Sequence, residues 1–169
     1  MILTSIKDYF EKSGNYNREL IQKLKSGEDS YFDYKMLVEK LKEDYKTYGK
    51  IIVAYDFDDT VCPSEPNYRC DNVVTLLKLI SDFKDFEMIC FTARCTTKMV
   101  NEARDHLNKL GIRYDTINDD IPRIKETVEH NCPAKIMYSV FLDDRCGLGE
   151  AYKALIEFVE WYLDQTNIT

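Results

Sequence analysis

The chain has 169 residues, of which 44% are hydrophobic, and this length and composition fit one domain with a full core. Its formal net charge of -7 disfavours strong attraction to the phosphate backbone of nucleic acids, so a nucleic-acid polymer is not an expected partner. No apolar run is long enough to cross a membrane, and the first residues are too charged for a signal peptide, so we expect a soluble, cytoplasmic protein without a membrane partner.

Residues 1–49 are predicted to form a helical N-terminal extension of two or three helices. Apolar residues recur there at helical spacing, at Tyr16, Leu20 and Leu24 and again from Phe32 to Tyr45 after a break at Ser26-Gly27. We interpret the extension as packed on the core or covering it. Packing against the back of a sheet, a lid over a site and a homodimer contact all remain open for it.

Residues 50–169 alternate between strand and helix patterns. The alternation predicts an α/β core of Rossmann-like type, with a mostly parallel sheet of four or five strands and helices on both faces. The expected strands lie at about 50–56, 86–91, 112–117 and 139–142. The expected helices lie at about 72–83 with Asp71 as cap, along the stripe from Met99 to Leu110 before Gly111, from Ile121 to Val128, and from Leu148 to Leu163.

Acidic and polar residues follow the predicted strands. The apolar run Ile51 to Ala54 leads into Asp56, Asp58 and Asp59. Open α/β sheets place their ligands beyond the carboxyl ends of the strands, so one edge should collect the polar residues that follow each strand. These residues are Asp56, Asp58, Thr92, Asn118, Asp143 and Asp144. Two acidic pairs from distant segments indicate either a nucleophile beside an acid/base group or a metal-binding site.

Three ordered motifs extend this interpretation: Asp56-Phe57-Asp58-Asp59-Thr60, Phe91-Thr92 and Leu142-Asp143-Asp144. Together they resemble the haloacid dehalogenase superfamily of phosphohydrolases over about residues 50–160. A narrower resemblance, to small capless phage and bacterial members, rests on Lys135 to Arg145 and on Asp115-Thr116-Ile117-Asn118. The chain leaves no room for either of the cap domains that larger members insert. Position 59 is often glycine in the family, so the turn at Asp59 must tolerate a side chain.

The resemblance implies a Mg²⁺-dependent phosphatase that hydrolyses a small phosphorylated metabolite or nucleotide. Asp56 would form an aspartyl-phosphate, and Asp58 would act as general acid and then as general base. Asp56, the backbone carbonyl of Asp58 and the acidic pair would hold the metal. We assign the direct bond to Asp144, with Asp143 as a second ligand or a neighbour of the ligands. Oxygen ligands of this kind suit Mg²⁺.

Two further residues complete the site that the resemblance implies. Thr92, at the N-terminus of the following helix, would hydrogen-bond the phosphoryl oxygens, and a helix cap is its structural alternative. Lys135 would supply the phosphate-binding lysine, although a continuous strand from 135 to 142 would place it more than ~20 Å from the acids. Lys125 or Arg123 would then replace it. Arg94 and Arg145 either contact substrate or pair with nearby acids.

Two other functions remain open. A 5′-deoxyribonucleotidase-like nucleotide phosphatase shares the basic residue after the acidic pair, but such enzymes usually have a larger cap. A non-catalytic binding or interaction protein with the same fold would be expected to lack Asp56 or Asp58, and both are present.

Overall fold

A computed structural model describes residues 34–66, 68–127 and 136–166. Over these ranges the protein has an α/β fold with a four-stranded, all-parallel sheet in the order β3-β2-β1-β4. The strands are β1 (Ile51–Tyr55), β2 (Phe86–Cys90), β3 (Thr116–Ile117) and β4 (Val140–Leu142). The predicted parallel α/β core is therefore confirmed, with β3 much shorter than the apolar pattern from Ile112 indicated. The helices predicted before residue 34 lie outside the described residues.

Helices connect and flank the strands. They are α1 (Tyr34–Tyr48), α2 (Asp71–Ser81), α3 (Thr97–Leu110), α4 (Pro122–Thr127) and α5 (Leu148–Thr166). The cap predicted at Asp71 is wrong, because Asp71 is the first residue of α2 and the capping position belongs to Cys70, whose side chain makes no capping bond. Gly111 ends α3 with a φ of 72°, the left-handed cap that the glycine predicted. Helices α2, α3 and α4 lie in the connections between successive strands, whereas α1 precedes β1 and α5 follows β4.

The strand register aligns the carboxyl ends of the sheet. Tyr55, the last residue of β1, pairs with Cys90 at the end of β2 and with Leu142 at the end of β4. Ile117 of β3 pairs with the same Cys90. The next residue along continues the pattern, since the Asp56 N–H donates to the Leu142 carbonyl at 2.9 Å. The segments that follow all four strands therefore begin at one edge.

The two faces of the sheet differ in how they are covered. Ile51, Val53 and Tyr55 of β1 belong to the large core, which includes buried residues of α1, α2, α3 and α5. Ile52 and Ala54 point to the other face, since side chains alternate along a strand. There they form a small buried cluster with Ile89 and Ile121, against which Ile124 and Phe141 are partly buried. Within the described residues, α4 is the only helix that contributes to that second cluster.

Helix α1 packs beside α5. The Tyr45 ring meets the Tyr162 ring edge-on at a centroid distance of 5.4 Å. Both tyrosine hydroxyls donate to Oδ2 of Asp85 at 3.1 Å. Asp85 immediately precedes β2, so this contact lies at the edge of the sheet opposite the carboxyl ends of the strands.

Helices long and apolar enough to span a membrane do not occur in the described parts of the chain.

Candidate active site at the carboxyl edge of the sheet

A cavity of about 420 Å³ opens at the carboxyl edge of the sheet. It brings together five of the predicted site residues: Asp56, Asp58, Thr92, Asp143 and Asp144. Its remaining lining residues are Phe91, Ala93, Phe141 and Arg145. The predicted Lys135 lies outside the described residues. The strand register explains the convergence, because each acidic or polar residue follows a strand end at the same edge.

Asp56 is half-buried where β1 ends. Burial raises the pKa of its carboxyl to about 6, although a hydrogen bond from the backbone at Phe57 opposes the shift. Repulsion from Asp143, Asp58 and Asp144 raises the pKa further. The raised pKa therefore reflects burial first and, to a smaller extent, the neighbouring negative charges, whose repulsion a bound cation would relieve.

The turn after Asp56 explains how an aspartate occupies position 59. Asp59 has a φ of 61°, in the left-handed region that aspartate tolerates better than most residues other than glycine. Its Oδ1 accepts a hydrogen bond from the Ser64 N–H at 2.7 Å, and hydrogen bonding with the Ser64 side chain and then with its backbone lowers the pKa of the carboxyl. The backbone N–H of Asp59 donates to the Cys62 carbonyl at 2.9 Å. The turn therefore accommodates the side chain and uses it to hold the loop.

Thr60 joins the two acidic segments. Its side chain is fully buried, and its Oγ1 accepts a hydrogen bond from the Asp144 N–H at 3.1 Å. Asp143 is held locally, since its Oδ1 accepts from the Arg145 N–H at 2.8 Å. No positioning role was predicted for Thr60, whose only signal in the sequence is its place within the first motif.

Arg94 holds Asp58 with two hydrogen bonds. Its Nε lies 3.1 Å from Oδ2 of Asp58, and its Nη2 lies 2.7 Å from Oδ1. The guanidinium carbon lies 4.6 Å from the centre of the Phe57 ring, and Nη1 lies 3.7 Å from Oε2 of Glu102. The hydrogen bond with Asp58 raises the pKa of Arg94. Of the two alternatives for Arg94, the structure shows the pairing with an acid, and that acid is a predicted catalytic residue.

Thr92 lies in a loop before α3 and not at the helix terminus, so that part of the prediction is wrong. Helix α3 begins at Thr97, and Thr96 caps it by accepting from the Met99 N–H at 3.3 Å. The Thr92 side chain is nearly buried in the cavity wall, and its Oγ1 accepts from the Arg94 N–H at 3.3 Å. Because this bond uses an acceptor site, the hydroxyl proton remains available for donation.

Asn118, the residue after β3, supports the same loop. Its Oδ1 accepts from the Thr92 N–H at 2.7 Å, and its Nδ2 donates to the Arg94 carbonyl at 3.0 Å. Its φ of 55° is unusual for a residue other than glycine but accessible to asparagine. The sequence placed Asn118 at this edge without a role. Its signal was its position one residue after a predicted strand.

The two proposed replacements for Lys135 have other partners. Lys125 forms an ion pair with Asp119 on the surface, and Nη2 of Arg123 lies 2.7 Å from Oε2 of Glu87. Neither residue lines the cavity. Among the described residues, the basic side chains that adjoin the acids are Arg94 and Arg145, and Arg145 is 86% exposed at the rim.

The donor chemistry of the cavity fits a hard divalent cation. Asp56, Asp143 and Asp144 offer carboxylate oxygens and Asp58 offers a backbone carbonyl, the ligand types that Mg²⁺ prefers. In the part of the chain that the structure describes, no three acidic, histidine or cysteine side chains already converge closely enough to form a metal-binding group. The acids therefore share a cavity without being arranged as a complete coordination shell.

Comparisons with known proteins identify the fold. No family model and no curated protein matches the chain. The chain is similar to a solved structure described as that of a conserved protein from Bacteroides thetaiotaomicron. The two share 21% identity with a TM-score of 0.50, over 67% of this chain and 92% of that one. At this identity the similarity supports the α/β fold alone.

Proposed function

We propose that the protein is a Mg²⁺-dependent phosphomonoester hydrolase of the haloacid dehalogenase type, acting on a small phosphorylated metabolite or nucleotide. The observation that supports this most strongly is the position of Asp56 and Asp58 in one cavity with Thr92, Asp143 and Asp144. A cytoplasmic location belongs to the proposal, in keeping with the free thiols of the cysteines in the described ranges.

In the proposed reaction the Asp56 carboxylate attacks the phosphorus atom, and the bond from phosphorus to the leaving oxygen breaks. Asp58 transfers a proton to that oxygen and then accepts a proton from the water that hydrolyses the aspartyl-phosphate. Arg94 occupies one acceptor site on each Asp58 oxygen, which leaves the other lone pairs for this proton. When bound, Mg²⁺ would reduce the repulsion between the acids and the phosphoryl group.

Phosphate binding is assigned to Thr92, which lines the cavity together with the acids that follow β1. The Thr92 hydroxyl donates to a phosphoryl oxygen, and its orientation depends on Arg94 and Asn118. Asp56 and the acidic pair, Asp143 and Asp144, supply the oxygen ligands for the metal, together with the carbonyl of Asp58. Lys135 remains the proposed phosphate-binding lysine, with Lys125 as its replacement after release from Asp119.

A non-catalytic binding or interaction protein is the competing function. The bidentate pair between Arg94 and Asp58 favours it, because a structural ion pair would also hold Asp58 in this way. A homodimer formed through the N-terminal extension is compatible with either function. The two functions differ in whether Asp56 forms a covalent bond to phosphorus.

Hydrolysis of p-nitrophenyl phosphate, with Mg²⁺ and with a chelator, tests the proposal. We expect turnover that requires Mg²⁺ and is lost in Asp56→Asn, while Asp105→Asn on the exposed surface of α3 serves as the matched control. Acid quenching of the wild-type reaction should trap phosphate on Asp56. Undiminished turnover by Asp56→Asn would rule out the mechanism, and absence of Mg²⁺-dependent turnover of any phosphomonoester would favour the binding protein.

A further inference from the structure

Aromatic rings form one wall of the cavity that contains the acids. Phe91 follows β2 directly and Phe141 lies in β4, and both line the cavity beside Asp56 and Asp143. Their ring centroids are 5.9 Å apart with an interplanar angle of 60°. Tyr138 lines a neighbouring cavity and packs against this pair, with its ring centroid 5.4 Å from that of Phe141. We refer to Phe91 and Phe141 as the aromatic wall.

The aromatic wall is partly open to solvent. Phe91 is 38% exposed, and Tyr138, which packs against Phe141, is 47% exposed. Phe141 is half-buried on the less covered face of the sheet, where it pairs in register with Ala54. The Phe91 N–H donates to the Tyr55 carbonyl at 2.9 Å, so the sheet fixes the backbone that carries this ring. Clustered apolar exposure beside a polar cavity is typical of a ligand-binding surface.

The chain positions the aromatic wall next to the proposed phosphoryl site. Phe91 adjoins Thr92, and Phe141 is two residues before Asp143. A phosphoryl group between Asp56 and Thr92 therefore has the aromatic wall beside it. The rest of the lining is rich in carboxylates, which disfavour a second anionic group on the substrate. The surroundings therefore suit a neutral ring.

We propose that the aromatic wall is a leaving-group subsite that binds a planar aromatic ring attached to the substrate phosphate. The inference rests on the proposed phosphatase function and defines its substrate class. Two tilted rings 5.9 Å apart can contact a third ring through a face and an edge, which are the arrangements that aromatic pairs prefer. A small aryl or arylmethyl ester and a nucleoside monophosphate both present such a ring.

The test compares phosphate esters whose leaving alcohols have similar basicity. Benzyl phosphate, cyclohexylmethyl phosphate and ethyl phosphate are assayed with Mg²⁺ on the full chain. We expect kcat/KM for benzyl phosphate to exceed that for ethyl phosphate about tenfold, the size that one ring contact supports, with cyclohexylmethyl phosphate between them. A second comparison, of kcat/KM for thymidine 5′-monophosphate and for ribose 5-phosphate, distinguishes a nucleoside from a smaller aryl group. A higher kcat/KM for benzyl phosphate than for ethyl phosphate, or for thymidine 5′-monophosphate than for ribose 5-phosphate, supports the subsite.

Variants assign the preference to the aromatic wall. Phe91→Leu and Phe141→Leu retain apolar volume but remove the ring, and we expect them to reduce the preference for benzyl over ethyl phosphate at least threefold, mainly through KM. Tyr48→Ala, which removes an exposed ring outside this cavity, should leave the preference unchanged. Equal kcat/KM for the benzyl, cyclohexylmethyl and ethyl esters, together with equal kcat/KM for thymidine 5′-monophosphate and ribose 5-phosphate, would overturn the inference while leaving the phosphatase function intact.

A binding measurement separates failure of the subsite from failure of the proposed function. Benzylphosphonate and ethylphosphonate resist hydrolysis, and calorimetry with Mg²⁺ gives their affinities without turnover. Tighter binding of benzylphosphonate that is lost in Phe141→Leu supports the subsite even if no ester is hydrolysed. Equal affinities for the two phosphonates, or a benzyl preference that survives both leucine variants, would overturn it.

Discussion

Arg94 contacts both carboxylate oxygens of Asp58, with 3.1 Å from Nε to Oδ2 and 2.7 Å from Nη2 to Oδ1. The Arg94 side chain is itself fixed, since it lies over Phe57 and approaches Glu102. A bidentate contact determines the orientation of a carboxylate as well as its position. The ion pair therefore positions the group to which we assign proton transfer.

Replacing Arg94 should impair catalysis more than folding. We expect Arg94→Ala to lower kcat about 10- to 100-fold, because a misplaced acid/base group loses reactive geometry. Arg94→Lys should recover little of this loss, since lysine cannot form the two parallel bonds. Steady-state kinetics with Arg104→Ala on the surface of α3 as control would test this. An unchanged kcat in Arg94→Ala would assign the pair a structural role only.

Replacing Asp56 should remove activity and stabilise the fold. The pKa of Asp56 is about 6 in the folded protein, against an ordinary value of 3.8, so the native state retains its proton over a range in which the unfolded chain loses it. The contribution of this group to stability is therefore full below about pH 4 and is lost as the pH rises through about 6. After allowance for its partial exposure, the loss is about 1–2 kcal/mol.

Urea denaturation with a chelator between pH 4 and pH 7 would measure this contribution. We expect Asp56→Asn to be more stable than the wild type by about 1–2 kcal/mol at pH 7 and nearly equal to it at pH 4. Asp105→Asn provides the control for removal of an exposed acid. A difference that does not change with pH would contradict the assigned titration.

Asn118 should be required for the loop that contains Thr92. Asn118→Ala removes both amide hydrogen bonds and places alanine at a φ of 55°, so we expect a loss of about 2–3 kcal/mol in the free energy of unfolding and a lower kcat/KM. Asn118→Gly keeps the backbone conformation and isolates the amide. Thermal denaturation and kinetics, with Asn108→Ala on α3 as control, would reveal whether both glycine and alanine impair activity.

Tyr45 should affect stability without affecting activity. Tyr45→Phe removes one of two hydroxyl bonds to Asp85 and keeps the ring contact with Tyr162, so we expect a loss of about 1–2 kcal/mol in the free energy of unfolding. Asp85 lies at the edge of the sheet opposite the cavity, so kcat should not change. A lowered kcat with unaltered stability would show that α1 communicates with the site. Tyr48→Phe is the matched control.

Asp59 should tolerate glycine better than alanine. At a φ of 61° alanine is unfavourable by about 1 kcal/mol, whereas glycine adopts this conformation readily. Both variants lose the hydrogen bond from the Ser64 N–H. We therefore expect Asp59→Ala to be the less stable of the two in urea denaturation, with Asp82→Ala as the surface control. Equal stabilities would show that the turn relaxes around the substitution.

Local patterns in the sequence determined the fold class and the edge of the sheet at which five site residues lie. The alternation of apolar strands and amphipathic helices predicts a parallel α/β sheet, because buried strands and right-handed crossovers leave few other arrangements. Asp56, Asp58, Thr92, Asp143 and Asp144 could be assigned to one edge because each follows a strand. The glycine at position 111 similarly identified the end of α3, since it provides a left-handed conformation at little steric cost.

Only the tertiary structure decided which side chains meet. The pair between Arg94 and Asp58 spans 36 positions, and the bond between Thr60 and Asp144 spans 84. Such contacts depend on strand register and loop path, which hydrophobic periodicity does not report. The position of Thr92 relative to α3 was mispredicted for a related reason, because the path of the loop places Thr92 against Asn118 and leaves Thr96 as the cap of the helix.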